Sequence, residues 1–169
     1  MPTEDLAGWF RYQLQASADG FIWALEELPS ARRDVRPPDT AWLGEWTAAR
    51  HLFHIVTYEE QLALPSVRQW LGAPAPAFDE EAEAQTWGRG QAVEGLVARF
   101  RSARAAQIAL LPALDARAWE ETRPSVWGPM TLRWVVAKTY QHTTDHTSAL
   151  LQLALFWDVA ARRTAAQPG

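Results

Sequence analysis

Two pairs of histidines stand out among the residues that could carry chemistry. His142 and His146 lie four residues apart, His51 and His54 lie three apart, and the chain has no other histidine. Residues at either spacing share one face of a helix. Two imidazoles placed in this way can both reach one metal ion. The sequence therefore predicts helices that bring the two pairs together.

The segment around the later pair has an apolar face, and both histidines fall on it. Val135 and Thr139 precede them on that face, and Leu153 follows. Buried imidazoles need partners for their ring nitrogens, because an unpaired buried polar group costs about 1–3 kcal/mol. A divalent metal bound to one nitrogen of each ring, with an outer acceptor on the other nitrogen, would meet this need. Hydrogen-bonded packing of the histidines is the alternative.

The pattern around the earlier pair leaves open which histidine faces inward. His51 shares a face with Ile55 and Tyr58, and His54 lies beside that face. We interpret His51 as a packing residue or an outer partner of the site. Three neutral histidines and a water would form an open, reactive site. Its metal could lower the pKa of bound water toward about 7, or activate a thiolate or a carbonyl oxygen.

Imidazole ligands suit zinc, nickel, copper and iron, so the histidines alone do not select the metal. Other polar groups have simpler explanations than catalysis. Glu59 and Glu60 are adjacent carboxylates, and so are Glu80 and Glu81. Neighbours on a helix point about 100° apart, which indicates solvated surface. A solvated face is also the expected place for four arginines that could otherwise bind an anionic substrate: Arg89, Arg99, Arg101 and Arg104.

Composition narrows the class of protein. The chain has 169 residues, no cysteine and a formal net charge of −4. The absence of cysteine excludes disulfides, thiolate ligands and a cysteine nucleophile, and the mild acidity argues against a nucleic-acid surface. Residues 1–5 lack signal-peptide character, and no apolar run reaches the roughly 20 residues of a membrane span. We expect one cytoplasmic domain over residues 1–169 that binds neither nucleic acid nor membrane.

Four long helices are predicted to position the histidines. Their apolar spacing places them at about residues 3–28, 47–64, 91–111 and 131–162. Pro65 should end or kink the second helix. Long loops are expected over residues 29–45 and 115–130, while residues 79–83 fit either a short helix or an acidic loop. Because no strand pattern is found, the sequence predicts an all-α fold, a four-helix bundle.

Two motifs connect these helices to a known family. The stretch Trp46-Thr-Ala-Ala-Arg-His-Leu-Phe-His54 resembles the second-helix motif of the DinB/YfiT-like superfamily, in which an inward histidine follows a tryptophan by eight residues. His142-Thr-Thr-Asp-His146 resembles the paired histidines on that family's last helix. The resemblance extends over essentially the whole chain. It implies a four-helix bundle in which His54, His142 and His146 hold a divalent metal, with zinc or nickel expected.

The resemblance also bears on activity. Characterised relatives include transferases and isomerases that use low-molecular-weight thiols such as bacillithiol or mycothiol, and a metal-dependent hydrolase. It therefore implies a thiol-dependent S-transferase acting on an electrophilic small molecule. The first alternative, suggested by the ten tryptophans, is a non-catalytic small-ligand-binding or stress-response dimer with a vestigial metal site. The other alternative is a metal-dependent hydrolase. Because family members often dimerise, the resemblance also implies a homodimer.

This chain departs from the family pattern at two positions. His51 stands where an aliphatic residue is usual. Ala149 replaces a common glutamine soon after the last histidine, although Gln152 follows one turn later. Neither change removes one of the three expected ligands.

Overall fold

The structure is a computed structural model, and it describes residues 3–87 and 92–166. Helices dominate these ranges, so the fold is all-α as predicted. In chain order they are α1 (Thr3–Glu26), α2 (Thr40–Leu43), α3 (Ala48–Tyr58), α4 (Leu64–Gln69), α5 (Glu80–Thr86), α6 (Val93–Leu110), α7 (Ala116–Glu120) and α8 (Leu132–Ala165). The two strands are β1 (Thr122–Arg123) and β2 (Met130–Thr131), which pair antiparallel. None of the described helices is long and apolar enough to cross a membrane.

The four predicted helices correspond to α1, the segment from α3 to α4, α6 and α8. Threonines cap the two helices that carry histidines. The hydroxyl of Thr47 accepts a hydrogen bond from the backbone N–H of Arg50 at 3.1 Å, which begins α3. The hydroxyl of Thr131 accepts one from Trp134 at 3.2 Å, which begins α8. Each cap satisfies a donor that the first helical turn leaves unpaired.

The second predicted helix changes its hydrogen-bonding pattern before Pro65. A proline has no backbone N–H to donate, and its ring clashes with the carbonyl group one turn back. The chain forms a π-helical turn over Glu59–Ala63. Pro65 then falls in the first turn of α4, where an N–H donor is not needed. The helical segment therefore continues through a change of geometry instead of ending.

Two segments that the sequence predicts as loops contain short helices. Residues 29–45 include α2, and residues 115–130 include α7 and both strands. The carboxylate of Asp39 caps α2, and that of Asp115 caps α7 by accepting the Ala118 N–H at 2.8 Å. Elements this short are held by caps and packing and carry no detectable periodicity. Residues 79–83, which the sequence left open as a short helix or an acidic loop, belong to a short helix. Asp79 is the N-cap of α5, and the first turn of the helix follows it.

Three clusters of buried apolar side chains form the interior of the described residues, and two of them are large. One includes Phe21, Leu52, Phe100 and Leu153, and the other includes Leu14, Val67, Trp119 and Val136. On α8, the change from one cluster to the other falls between Val136 and Leu150, and on α1 it falls between Leu14 and Ala18. The stretch of α8 between the clusters carries His142 and His146.

A buried ion pair corrects two sequence-based expectations. Arg104 and Glu59 were both expected at the solvated surface, but their side chains are 1% and 0% exposed and lie 2.5 Å apart. Periodicity could not reveal this, because a charged side chain enters a core only where a distant partner neutralises it. Glu60 and Arg99 do form a partly exposed pair, at 2.6 Å. Arg101 is exposed as expected, and Arg89 lies outside the described residues.

Candidate metal centre

Helices α3 and α8 bring the four histidines together. The Nδ1 atoms of His51 and His146 are 2.7 Å apart, and the Nε2 atoms of His54 and His142 are 3.1 Å apart. Because the earlier residue of one pair faces the later residue of the other, the two helices run antiparallel where they meet. The two histidines that lie three residues apart on α3 thus face the two that lie four residues apart on α8. This convergence is what the two histidine pairs predict.

Three of the histidines form a group that could hold a metal ion. His54, His142 and His146 each offer one ring nitrogen, and these atoms all lie within 4.8 Å of one another. Two nitrogens bound to one tetrahedral zinc would be about 3.3 Å apart. The separation of 3.1 Å between the Nε2 atoms of His54 and His142 is close to that value. His54 therefore joins the later pair, while His51 contacts the group from outside through His146.

The environment keeps His51, His142 and His146 neutral. The pKa of His142 is lowered to about 3 and that of His146 to about 2, chiefly because burial disfavours the charged imidazolium. Burial likewise lowers the pKa of His51 to about 4. Charge repulsion among the histidines adds to each shift. Neutral imidazole is the form that binds metals, so the rings are ready to act as ligands at neutral pH.

The hydrogen bonds among the rings leave one nitrogen unsatisfied. Each close contact between two neutral imidazoles requires that one ring donates and the other accepts. Nδ1 of His142 is buried and has no hydrogen-bond partner among the described residues. A metal bound to Nε2 of His142 would not contact this Nδ1. The fit to a divalent ion depends instead on the three ring nitrogens that lie within 4.8 Å of one another.

A buried carboxylate lies behind His54. Glu83 projects from α5, and its Oε2 accepts a hydrogen bond from Nη2 of Arg50 at 2.8 Å. Its Oε1 contacts Nη1 of the same guanidinium group. That Oε1 also lies 3.6 Å from Nδ1 of His54, which is within ion-pair range but longer than a hydrogen bond. The negative charge is thus on the Nδ1 side of the ring, while Nε2 faces His142.

Aromatic rings enclose the group at both ends. The indole of Trp46 stacks on His146 with ring centroids 5.9 Å apart, and its centroid is 5.1 Å from that of His54. The guanidinium group of Arg50 lies over the indole of Trp46, with its Cζ 4.6 Å from the ring centroid. The ring of Tyr58 lies 4.2 Å from that of His142, and burial raises the pKa of the Tyr58 hydroxyl. The histidines remain partly exposed, so small molecules can reach them.

Sequence reasoning missed the outer residues of this site. Arg50 lies four residues before His54 on α3, so its place on the same helix face could have been noticed. Glu83 gave no such signal, because nothing local indicates that α5 folds back against α3. The interpretation of His51 as a packing residue or an outer partner agrees with its contact to His146.

Comparison with known families identifies a match over most of the chain. Residues 13–150 match the family model of the DinB superfamily. The matched span starts within α1, ends within α8 and contains all four histidines. No curated protein and no solved structure matches the chain.

Proposed function

The chain belongs to the DinB superfamily, and from this premise we propose that His54, His142 and His146 bind one divalent metal ion. The observation that carries the proposal is the convergence of three imidazoles whose ring nitrogens lie within 4.8 Å of one another. Zinc and nickel are the ions that the family resemblance implies, and both accept imidazole ligands. When bound, the ion would supply positive charge that lowers the pKa of a thiol or water beside it.

Residues around the ligands hold the rings in their binding form. The carboxylate of Glu83 favours the tautomer of His54 that carries its proton on Nδ1, which leaves the Nε2 lone pair for the metal. His51 has the same effect on His146. We assign the donor role in their 2.7 Å contact to Nδ1 of His146 and the acceptor role to Nδ1 of His51, which leaves Nε2 of His146 as the ligand atom. Arg50 holds Glu83 in place through two contacts.

We extend the proposal to a thiol-dependent S-transferase. The chain contains no cysteine, so a sulfur nucleophile must come from a low-molecular-weight thiol. In the reaction, the thiol loses its proton, its sulfur forms a bond to an electrophilic carbon, and the leaving group departs with its electron pair. Neutral ligands support this chemistry because they do not neutralise the charge that stabilises a thiolate. No residue of the chain is assigned as a catalytic acid or base.

Two other functions follow from specific observations. The side chain of His54 is 17% exposed, so water can reach the group, and a metal-dependent hydrolase would use the same ligands. The second is a ligand-binding or stress-response dimer without catalysis. It is supported by the two close histidine contacts, because rings that hydrogen-bond each other can persist without an ion.

Metal analysis of tag-free protein tests the core of the proposal. Wild type and His142→Ala would be analysed as purified and after reconstitution with zinc or nickel. A stoichiometric ion in the wild type that is lost in the variant is the expected result. Absence of metal from reconstituted wild type would overturn the proposal.

The extension to thiol transfer needs its own assay. Fully loaded protein would be mixed with a set of low-molecular-weight thiols and electrophiles, and thioether formation would be measured. Turnover that disappears in His54→Ala would support a transferase. No turnover with any thiol, despite full loading, would leave hydrolysis or ligand binding as the function.

A further inference from the structure

A second feature of α8 lies next to the histidine group. A cavity of about 530 Å³ opens at the N-terminal third of this helix. Its lining consists of Trp127, Trp134, Ala137, Lys138 and Gln141. The volume lies within the range of cavities that hold small organic ligands, about 300–1,000 Å³.

The cavity lies within about one turn of His142 along α8. On α8, Lys138 lies four residues before His142, so both belong to one helix face about one turn apart. The ring of Tyr58 contacts that of His142, with centroids 4.2 Å apart. Trp127, which lines the cavity, packs against the cluster of Tyr58, Leu62 and Ala63. The cavity and the metal group therefore adjoin the same small cluster.

The residues that line the cavity include two tryptophans and one cationic side chain. The rings of Trp127 and Trp134 are 5.0 Å apart and inclined at 58°, which presents two flat apolar surfaces. Lys138 is the only lysine in the chain. Its Nζ donates a hydrogen bond to Oε1 of Gln141 at 2.6 Å, and no carboxylate within the two described ranges forms an ion pair with it. The ammonium group can therefore bind an anion at the cavity rim.

We propose that this cavity binds a planar aromatic anion, a carboxylate or sulfonate, as the second substrate of the histidine site. The aromatic body packs against Trp127 and Trp134, and Lys138 pairs with the anionic group. This assignment as a substrate rests on the proposed function. Binding itself does not, because none of the lining residues is a metal ligand. The charge of Lys138 selects an anion, and the tryptophans select a flat apolar body.

Two matched probes test the proposal by calorimetry on zinc-reconstituted protein. One is 2-naphthoate, and the other is the uncharged 2-naphthamide. We expect saturable binding of 2-naphthoate that weakens about three- to fivefold in Lys138→Met, since exposed ion pairs contribute modestly. Lys138→Arg should keep the wild-type affinity, and 2-naphthamide should not respond to either variant. Trp134→Ala should weaken both probes, whereas Trp23→Ala, a similarly exposed tryptophan on α1, should weaken neither.

Several results would overturn the proposal. They are the absence of saturable 2-naphthoate binding, equal affinity of Lys138→Met and wild type for 2-naphthoate, or equal effects of Trp134→Ala and Trp23→Ala. Loss of a dimer in Trp134→Ala, measured by sedimentation, with no change in probe affinity would assign the cavity to a second copy of the chain instead.

Repeating the titration after treatment with a chelator separates this proposal from the metal proposal. Naphthoate binding that survives removal of zinc supports the cavity on its own. A protein that binds zinc but not naphthoate would retain the metal site and lose the substrate assignment. A protein that binds naphthoate but never zinc would retain the binding cavity and lose both the metal site and the substrate assignment.

Discussion

Two arginine–glutamate pairs are buried to a similar extent but contact different kinds of groups. Arg104 and Glu59 have side chains that are 1% and 0% exposed, and Arg50 and Glu83 have side chains that are 10% and 4% exposed. In the first pair, the guanidinium also donates to the carbonyl of Leu14 at 2.6 Å and to two hydroxyl groups. In the second pair, the carboxylate instead faces the ring of a histidine.

The difference shows that a buried charge does not by itself indicate a functional site. The partners of Arg104 complete its hydrogen bonds within the interior, including the hydroxyl groups of Ser17 and Thr143. This pair joins α6 to the π-helical turn, α1 and α8. The pair of Arg50 and Glu83 instead adjoins the group of three histidines that could hold a metal ion. The first pair should therefore govern stability, and the second should govern metal affinity.

The largest expected effect is on folding. Arg104→Met leaves Glu59 buried without its partner, which should lower the free energy of unfolding by about 3–5 kcal/mol. Urea denaturation of metal-free protein measures the change. Arg99→Met is the matched control on the same helix, and it should cost no more than about 1 kcal/mol because its pair with Glu60 is partly exposed. Similar losses in the two variants would remove the distinction between buried and surface pairs.

The next effect is on the pH dependence of metal-free protein. The pKa values of His51, His142 and His146 are lowered to about 4, 3 and 2 in the folded chain, against about 6.5 when unfolded. Between these values the unfolded chain binds more protons, so stability is complete above pH 6.5 and falls as pH decreases. Each histidine should remove about 1.4 kcal/mol per pH unit in that window.

Urea denaturation at pH 7.5, 6.5 and 5.5 measures this slope. His142→Gln, which cannot titrate, should reduce the loss between pH 6.5 and 5.5 by about a third. A loss that is the same in both proteins would mean that carboxylates outside the histidine group cause it. Added zinc should oppose the loss in wild type, because it binds only the neutral rings.

A smaller effect, on zinc affinity, is expected from the second ion pair, that of Arg50 and Glu83. Glu83→Gln removes the charge behind His54 and should weaken zinc binding by about 10- to 100-fold. Competition with a coloured chelator measures the affinity. Glu81→Gln is the control, since Glu81 lies on the same short helix and its carboxylate accepts a hydrogen bond from Gln85 at 3.3 Å instead of facing a histidine. Unchanged affinity in Glu83→Gln would make its pair with Arg50 structural, like that of Arg104.

The smallest effect is expected at His51. His51→Leu removes the acceptor for Nδ1 of His146 and should weaken zinc binding by up to about tenfold. The number of bound ions should stay the same, because the three ligands remain. Elemental analysis and chelator competition together distinguish these outcomes. Loss of the ion in His51→Leu would instead make His51 a ligand.

Local signals in the sequence were sufficient to predict the long helices and the histidines of the candidate site. The spacing of His142 and His146 and the caps at Thr47 and Thr131 involve residues within a few positions of each other, so they could be interpreted without the fold. The family motif then selected His54 over His51. Helical periodicity is detected over short stretches of sequence, so it is sufficient for features of this kind.

The errors involve contacts between distant parts of the chain. Arg104 and Glu59 are 45 positions apart, and Arg50 and Glu83 are 33 apart. A charged residue on a helix gives no local sign that another helix will neutralise it. The interior position of Arg104 and the role of Glu83 therefore required the structure. The short helices α2 and α7 were missed because four or five residues are too few to show a period.

The π-helical turn sets the rotational phase between two halves of one helical segment. Such a turn accommodates one extra residue, so the residues after it are rotated by about 100° relative to an uninterrupted α-helix. Before the turn, His51 and His54 face α8; after it, Val67 and Trp70 enter the apolar cluster near Trp119. Deleting Gln61 within the turn would move α4 out of phase and leave α3 in register. The turn therefore lets the histidines face α8 while the residues that follow pack into a different apolar cluster.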